Sequence, residues 1–334
     1  QGGDKFYFPD NALRMLAATV LLAVVLRSST QNWFLAGLLI AGAVAAFWAL
    51  STWLVDASQR VMATTNNPIH FGNLSALVML LSMTVALLAQ RLSVKVRLLF
   101  CAAAVGGLLG ALASMSRSSF IVLLCFLPLL WLVQHTRVRM WLLAGLLALS
   151  IAIVFVVMSS DALKNKLRIT EAQTDIQLMM EGNYHTSLGA RVAMWQTAWS
   201  VFKEKPLVGM GQGRFPAVFA QRMQDGDIPS TEIFGQPHSD VLHALSAGGL
   251  LRFFAYLGLM VAPFVFFLKR FVAVSSNSEK RLMPILGMQV VATYFLTGLT
   301  NSNFDLQIYS TTYAVFVCVL MRLSLIPKII IQKG

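Results

Sequence analysis

The sequence predicts an all-α polytopic membrane protein with about nine transmembrane helices and one large polar loop. Three observations carry this. Of the 334 residues, 57% are hydrophobic and only 12% charged, whereas soluble domains are about 45–50% apolar and about 25% charged. The apolar residues gather into runs close to the roughly 20 residues that a helix needs to cross a bilayer. The polar residues collect in one long segment, Ser159 to Asp240, and in short connections between the runs.

The runs lie near 11–27, 33–55, 73–89, 98–115, 119–134, 140–158, 248–268, 283–300 and 311–327. They divide the chain into an N-terminal membrane block of about six helices, 1–158, the polar segment 159–240, and a C-terminal block of about three helices, 241–334. Alternate connections carry Arg27, then Arg91, Lys95 and Arg97, then Arg137 and Arg139, then Lys269, Arg270, Lys280 and Arg281, and finally Lys328 and Lys333. Those twelve basic residues face one acid, Glu279. Short cytoplasmic connections retain Lys and Arg, so this alternation places the C-terminus inside and the polar segment outside. The segment itself is balanced, with eight basic and nine acidic residues.

The same count puts residue 1 outside, so a native N-terminus in the cytoplasm would require an odd number of helices upstream, about three. The opening residues, Gln1 to Asp10, lack the basic region, apolar core and small-residue cleavage site of a signal peptide. The formal charge of +12 is dispersed over loops between apolar runs, so it reads as topology and not as a nucleic-acid surface. Cys101, Cys125 and Cys318 all fall inside apolar runs, which predicts small core residues and neither a disulfide framework nor a thiolate metal site.

Within the polar segment, Val192, Trp195, Trp199 and Phe202 recur at helical spacing, which predicts an amphipathic helix lying on the membrane or on the roof of the bundle. Pro206 ends it, Gly209, Gly211 and Gly213 predict a flexible turn, and Arg214 to Met223 a second short helix. Gly226 and Pro229 break that helix before Gly235-Gln236-Pro237-His238 leads back to apolar sequence.

Three constellations can carry chemistry. In Ser114-Met115-Ser116-Arg117-Ser118-Ser119, Arg117 reads either as an interfacial anchor that snorkels to headgroups or as part of an anion site among hydroxyls. In Gly189-Ala190-Arg191, the helix N-terminus and a guanidinium fork both attract phosphate, and a cation there is unfavourable for the helix dipole. The open readings for Arg191 are ligand binding and an ordinary salt bridge. In Gln236-Pro237-His238-Ser239-Asp240, the His238 imidazole could take a proton from a hydroxyl or be structural, and Asp240 could orient it. His243 and His185 are weaker versions of that signal, and Arg168, Arg214 and Arg222 are further cations of the segment.

Other patterns predict less. Asp225-Gly226-Asp227 matches an Asp-x-Asp metal motif but sits in a Gly/Pro turn, and Gly209-x-Gly-x-Gly213 lacks the strand that a dinucleotide fingerprint follows. Gly106, Gly107 and Gly110, and Ser246-Ala247-Gly248-Gly249, read as small-residue faces for close helix packing. No zinc-ligand spacing or serine nucleophile elbow occurs. A transporter would need polar residues along the spans near the midplane; few are found, Arg252 being the main exception.

In order along the chain, Asp10-x-x-x-Arg14, Asn67-Pro68-Ile69-His70-Phe71-Gly72, Ser114-x-Ser116-Arg117, Gly189-x-Arg191-x-x-x-Trp195 with Pro206-Leu207-x-Gly209-x-Gly211, and His238-Ser239-x-x-Leu242 with Gly248 resemble the bacterial O-antigen ligase family. The resemblance implies a GT-C-type inverting glycosyltransferase in the inner membrane, with its large loop and active site facing the periplasm. It implies a donor on undecaprenyl diphosphate, lipid A-core as acceptor, surrounding membrane lipids, and no cofactor, metal or nucleic acid. Residue by residue, the family's arginines fall on Arg117 and Arg191, as diphosphate ligands, and its histidine on His238, which positions or deprotonates the acceptor hydroxyl. Arg214 and Arg222 are weaker diphosphate candidates. Ser239 stands where many relatives carry Asn, and His243 where an acidic residue often follows Leu242. The same family includes O-antigen polymerases and protein O-oligosaccharyltransferases.

Overall fold

In a computed structural model of the chain, the described residues are 30–122, 186–274 and 278–325, apart from 57, 66, 90 and 229–231, together with 16–17, 20, 174–175 and 177–178. The expected spans 140–158, most of 119–134 and nearly all of 11–27 lie outside them, as do Arg168, His185 and Cys125.

Among the described residues the structure is helical, with no strand. The helices are α1 (Thr30–Val55), α2 (Pro68–Leu88), α3 (Val94–Ala113), α4 (Arg117–Ile121), α5 (Ser187–Glu204), α6 (Phe215–Gln224), α7 (Asp240–Ala273), α8 (Ser278–Gly298) and α9 (Gln307–Leu325). Five are long and apolar enough to cross a membrane, namely α1, α2, α3, α7 and α9. Each matches an expected run, but α2, α3, α7 and α9 begin four to eight residues earlier. Capping residues account for two of these starts. The Asn67 side chain accepts from the Ile69 amide ahead of Pro68, and Ser93 accepts from Val96, so the helices begin at the caps and not at the first apolar residue. The run expected at 283–300 is the helix α8, which is not among the five. It carries Gln289, Thr293 and Thr297, all buried, which lower its apolar character.

The chain forms two compact units. One comprises residues 18–167, 263–297 and 312–334. Here α1, α2 and α3 approach closely at glycines. A Cβ on Gly106 would meet the Gly42 carbonyl oxygen at 2.2 Å, and one on Gly107 the Met79 amide and Ser75 carbonyl at 2.6 Å. The small-residue face read at Gly106, Gly107 and Gly110 is therefore a close-packing surface. Thr84 Oγ1 donates to Gln289 Oε1 at 3.0 Å, and the Tyr294 and Tyr313 rings meet at 4.9 Å, inclined at 55°.

The other unit comprises residues 1–17, 168–262 and 298–311. Its core is formed by α5 and α6 through Ala193, Met194, Ala198, Val201, Phe215 and Phe219. This corrects the expected stripe. Small residues let α5 approach its neighbours, so the buried face is Ala193, Met194, Thr197, Ala198 and Val201, while Val192, Trp195 and Phe202 are half-buried at its edges and Trp199 is exposed.

A second correction concerns the glycines. Helix α7 is interrupted at Gly249, whose φ of 61° and ψ of −154° are not helical. The chain between Pro206 and Gly211 lies across the break. Leu250 N donates to Pro206 O at 2.7 Å, Met210 N to Ser246 O at 2.8 Å and Gly211 N to Ala247 O at 2.9 Å. The expected flexible turn is thus a strap that satisfies backbone groups freed by the break. Nor is Ser246–Gly249 a helix-packing face: a Cβ on Gly249 would meet the Leu207 carbonyl carbon at 2.4 Å, and one on Gly209 the Ser246 oxygen at 2.5 Å.

Candidate functional site

The site begins at the N-terminus of α5. Thr186 Oγ1 accepts from the Gly189 amide at 3.0 Å, and Asp175 Oδ2 accepts from Ser187 Oγ at 2.7 Å and from the Leu188 amide at 3.3 Å. The expectation that these amides hold an anion is corrected, because the chain's own oxygens take the Leu188 and Gly189 donors and a carboxylate complements the dipole. Arg191 follows one turn into the helix, half-buried.

Four residues on, and so on the same face of α5, Trp195 Nε1 donates to the Pro237 carbonyl at 3.0 Å. This bond brings the chain before α7 against the face that carries Arg191. His238 follows with φ +47°, a left-handed conformation rare for a residue with a side chain. Its Nδ1 lies 3.5 Å from Asn301 Oδ1, on the loop between α8 and α9. Burial lowers the His238 pKa below the ordinary imidazole value, the Asn301 contact opposes that shift, and the Arg191 charge adds to it. The two expected residues, Arg191 and His238, are therefore close enough to interact electrostatically.

Asp240 does not orient His238. Its Oδ1 accepts from the Phe304 amide at 3.1 Å, which ties α7 to the 301–305 loop. The orienting group is Asn301, which is buried, and its Nδ2 donates to Asn303 Oδ1 at 3.2 Å. With that nitrogen engaged, Asn301 presents its oxygen to His238. Nδ1 is then the donor, and Nε2 carries the free lone pair.

Arg252, just past the break in α7, donates to Gln212, the residue after the strap, and Gln212 Nε2 donates to Asp305 Oδ1 at 3.1 Å. Strap, α7 and loop are thereby joined. Sequence reasoning missed Asn301, Asn303, Asp305 and Gln212. The available signal was the polar run Asn301-Ser302-Asn303-Phe304-Asp305 between two apolar segments, read only as a connection.

The remaining cations differ in setting. Arg222 donates to Asp227 Oδ2 at 2.9 Å and also pairs with Glu204, and these two carboxylates, Asp227 foremost, raise its pKa. This weaker diphosphate candidate is already neutralised, and the same contact occupies Asp227 of the Asp-x-Asp pattern. Arg214 is exposed at the N-cap of α6, with its side chain beside Gly211. Arg117 belongs to the other unit, at the exposed start of α4. Its hydroxyl neighbours form a network there: Ser116 and Ser118 share a hydrogen bond of 2.9 Å, and Ser118 and Ser119 donate to Asn73 Oδ1 at 2.8 and 3.2 Å. Gly72 makes room for this knot, since a Cβ there would meet Ser114 Oγ at 2.2 Å.

Several apolar spans together with a polar segment that has its own core define a multi-pass helical membrane protein. Residues 102–257, just under half of the chain, match the family model described as O-antigen ligase. This stretch includes Arg117, Arg191, Arg214, Arg222 and His238, and ends before Asn301. The chain is also 30% identical over 123 residues to an uncharacterized protein of Haemophilus influenzae. That similarity covers 36% of this chain and 30% of the relative, so the chain spans under a third of that protein's length.

Proposed function

We propose that the protein is a membrane glycosyltransferase of the O-antigen ligase type, moving a polysaccharide from undecaprenyl diphosphate to a sugar hydroxyl of lipid A-core. The observation that carries the reading is the Trp195–Pro237 hydrogen bond, which sets His238 beside the helix face bearing Arg191. In the proposed reaction the acceptor hydroxyl gives its proton to His238 Nε2 as its oxygen attacks the anomeric carbon. The bond from that carbon to the diphosphate oxygen breaks, and undecaprenyl diphosphate leaves with the electron pair. Attack opposite the diphosphate inverts the centre. Arg191, with Arg214 as a weaker ligand, stabilises the charge that develops on the leaving group, so the scheme needs no metal; the family resemblance adds Arg117 as an expected diphosphate ligand.

The site faces the periplasm of the inner membrane in this reading, supported by the alternation of basic connections. The test is complementation of a ligase-deficient strain with Arg191→Ala and His238→Ala. Lipopolysaccharide that lacks its polysaccharide ladder is expected, and a normal ladder from a well-expressed variant removes that residue from the mechanism. Purified protein given either lipid A-core or a second lipid-linked glycan separates a ligase from a polymerase. Turnover abolished by EDTA and restored by Mg²⁺ or Mn²⁺ overturns the metal-free scheme.

A further inference from the structure

We propose that Trp199 to Val208 form a membrane-surface anchor that binds anionic phospholipid headgroups and inserts Leu207 and Val208 among the acyl chains. The polar segment exposes unusual residues here. Leu207 and Val208 are each 63% exposed, and Trp199 is 48% exposed with its ring 5.3 Å from that of Phe202. Lys203 and Lys205 are exposed between these apolar groups. Glu204 is paired with Arg222, so among the described residues the two lysines have no carboxylate partner. An aromatic pair, two cations and an apolar dipeptide in ten residues are the chemistry of a bilayer interface.

The backbone says where this group is held. Pro206 O accepts from Leu250 N, and a Cβ on Gly249 would touch the Leu207 carbonyl. The exposed dipeptide is therefore fixed beside the point where α7 resumes, followed at once by Leu251, 70% exposed, and Phe254, 62% exposed. Those side chains belong to a helix long and apolar enough to span the membrane. Lipid that covers Leu251 and Phe254 reaches the depth of the strap. The occupant is a bilayer, because the exposed apolar surface continues onto a helix long and apolar enough to span a membrane and the flanking charges match phosphate headgroups. The anchor is independent of the glycosyl-transfer reading.

The test uses the full chain in nanodiscs, with Cys101, Cys125 and Cys318 replaced by Ala and a bimane label on Leu207→Cys, Val208→Cys or Gln224→Cys, the last exposed at the end of α6. The labels at 207 and 208 are expected to lose most of their emission to nitroxide-bearing lipid and to resist aqueous iodide, and the label at 224 to do the reverse. Iodide quenching at 207 and 208 as strong as at 224 overturns the proposal. So does shielding from both quenchers, which would mean that protein covers the strap. Lipid quenching should be stronger in phosphatidylglycerol than in phosphatidylcholine discs, and the K203Q/K205Q variant should abolish that difference. Equal quenching in both lipids overturns the headgroup part.

Discussion

His238 Nδ1 lies 3.5 Å from Asn301 Oδ1, although the two residues are 63 apart in the chain. The contact is at the long end of hydrogen-bond distances. Asn301→Ala removes it. Transfer should fall by up to about tenfold, since a single hydrogen bond contributes about 0.5–1.5 kcal/mol. Steady-state rates with a defined acceptor measure this, and Asn301→Gln should recover part of the loss if orientation is the cause.

The pH dependence follows from the causes of the His238 shift. Burial, aided by Arg191, lowers the folded-state pKa below the ordinary 6.5, so the imidazole is neutral and competent as a base near neutral pH. Activity should fall as pH drops below 6.5 through the folded value. The stability contribution has the same sign. It is fully present above the unfolded pKa and is lost as pH falls through the folded one, because the unfolded state binds the proton more readily. Arg191→Gln should raise the His238 pKa and Asn301→Ala lower it further. The pH profile of diethyl pyrocarbonate modification at His238, read by peptide mapping, distinguishes the two.

Gly249→Ala should destabilise the protein severely, because its φ of 61° and ψ of −154° are open essentially to glycine alone and a Cβ would meet the Pro206 oxygen at 2.5 Å. The conformational strain alone is of order 1–3 kcal/mol. Gly209→Ala should behave alike, with φ 60° and the Ser246 oxygen at 2.5 Å. Gly226 shares a positive φ, 76°, but has open space around it, so Gly226→Ala should cost only about 1–2 kcal/mol. Thermal unfolding in one detergent ranks the three.

Among the arginines, Arg222→Gln should leave transfer near its original rate, because Glu204 and Asp227 already hold that guanidinium. Stability should change by about 0–1 kcal/mol, as for other exposed ion pairs. Arg191→Gln should lower transfer by about 100-fold or more, the scale on which one donor to a developing oxyanion acts. Parallel in vitro assays of the two variants decide the matter.

Local chemistry was legible in the sequence, and non-local pairing was not. Asn67-Pro68 opens α2 as a capping residue followed by proline should, and Gly106 and Gly107 pack as small residues in a membrane helix do. Arg191 and His238 stood out because each sits at an element boundary. The Trp stripe misled because periodicity marks an apolar face without saying how near a neighbour can come, and Ala193 and Ala198 allowed the closer approach. Asn301, Gln212 and the Pro206 strap act on residues 36 or more positions away, and nothing in their own surroundings records that.

The strap has a consequence for biosynthesis. Residues 206–211 leave the ribosome before residues 246–250, whose backbone groups they pair with. The partner is made first, so the break in α7 never has to wait within the bilayer for sequence still to be translated. Exchanging that order by circular permutation, with new termini between residues 213 and 240, would place the interrupted helix ahead of its strap and should sharply lower the yield of inserted protein.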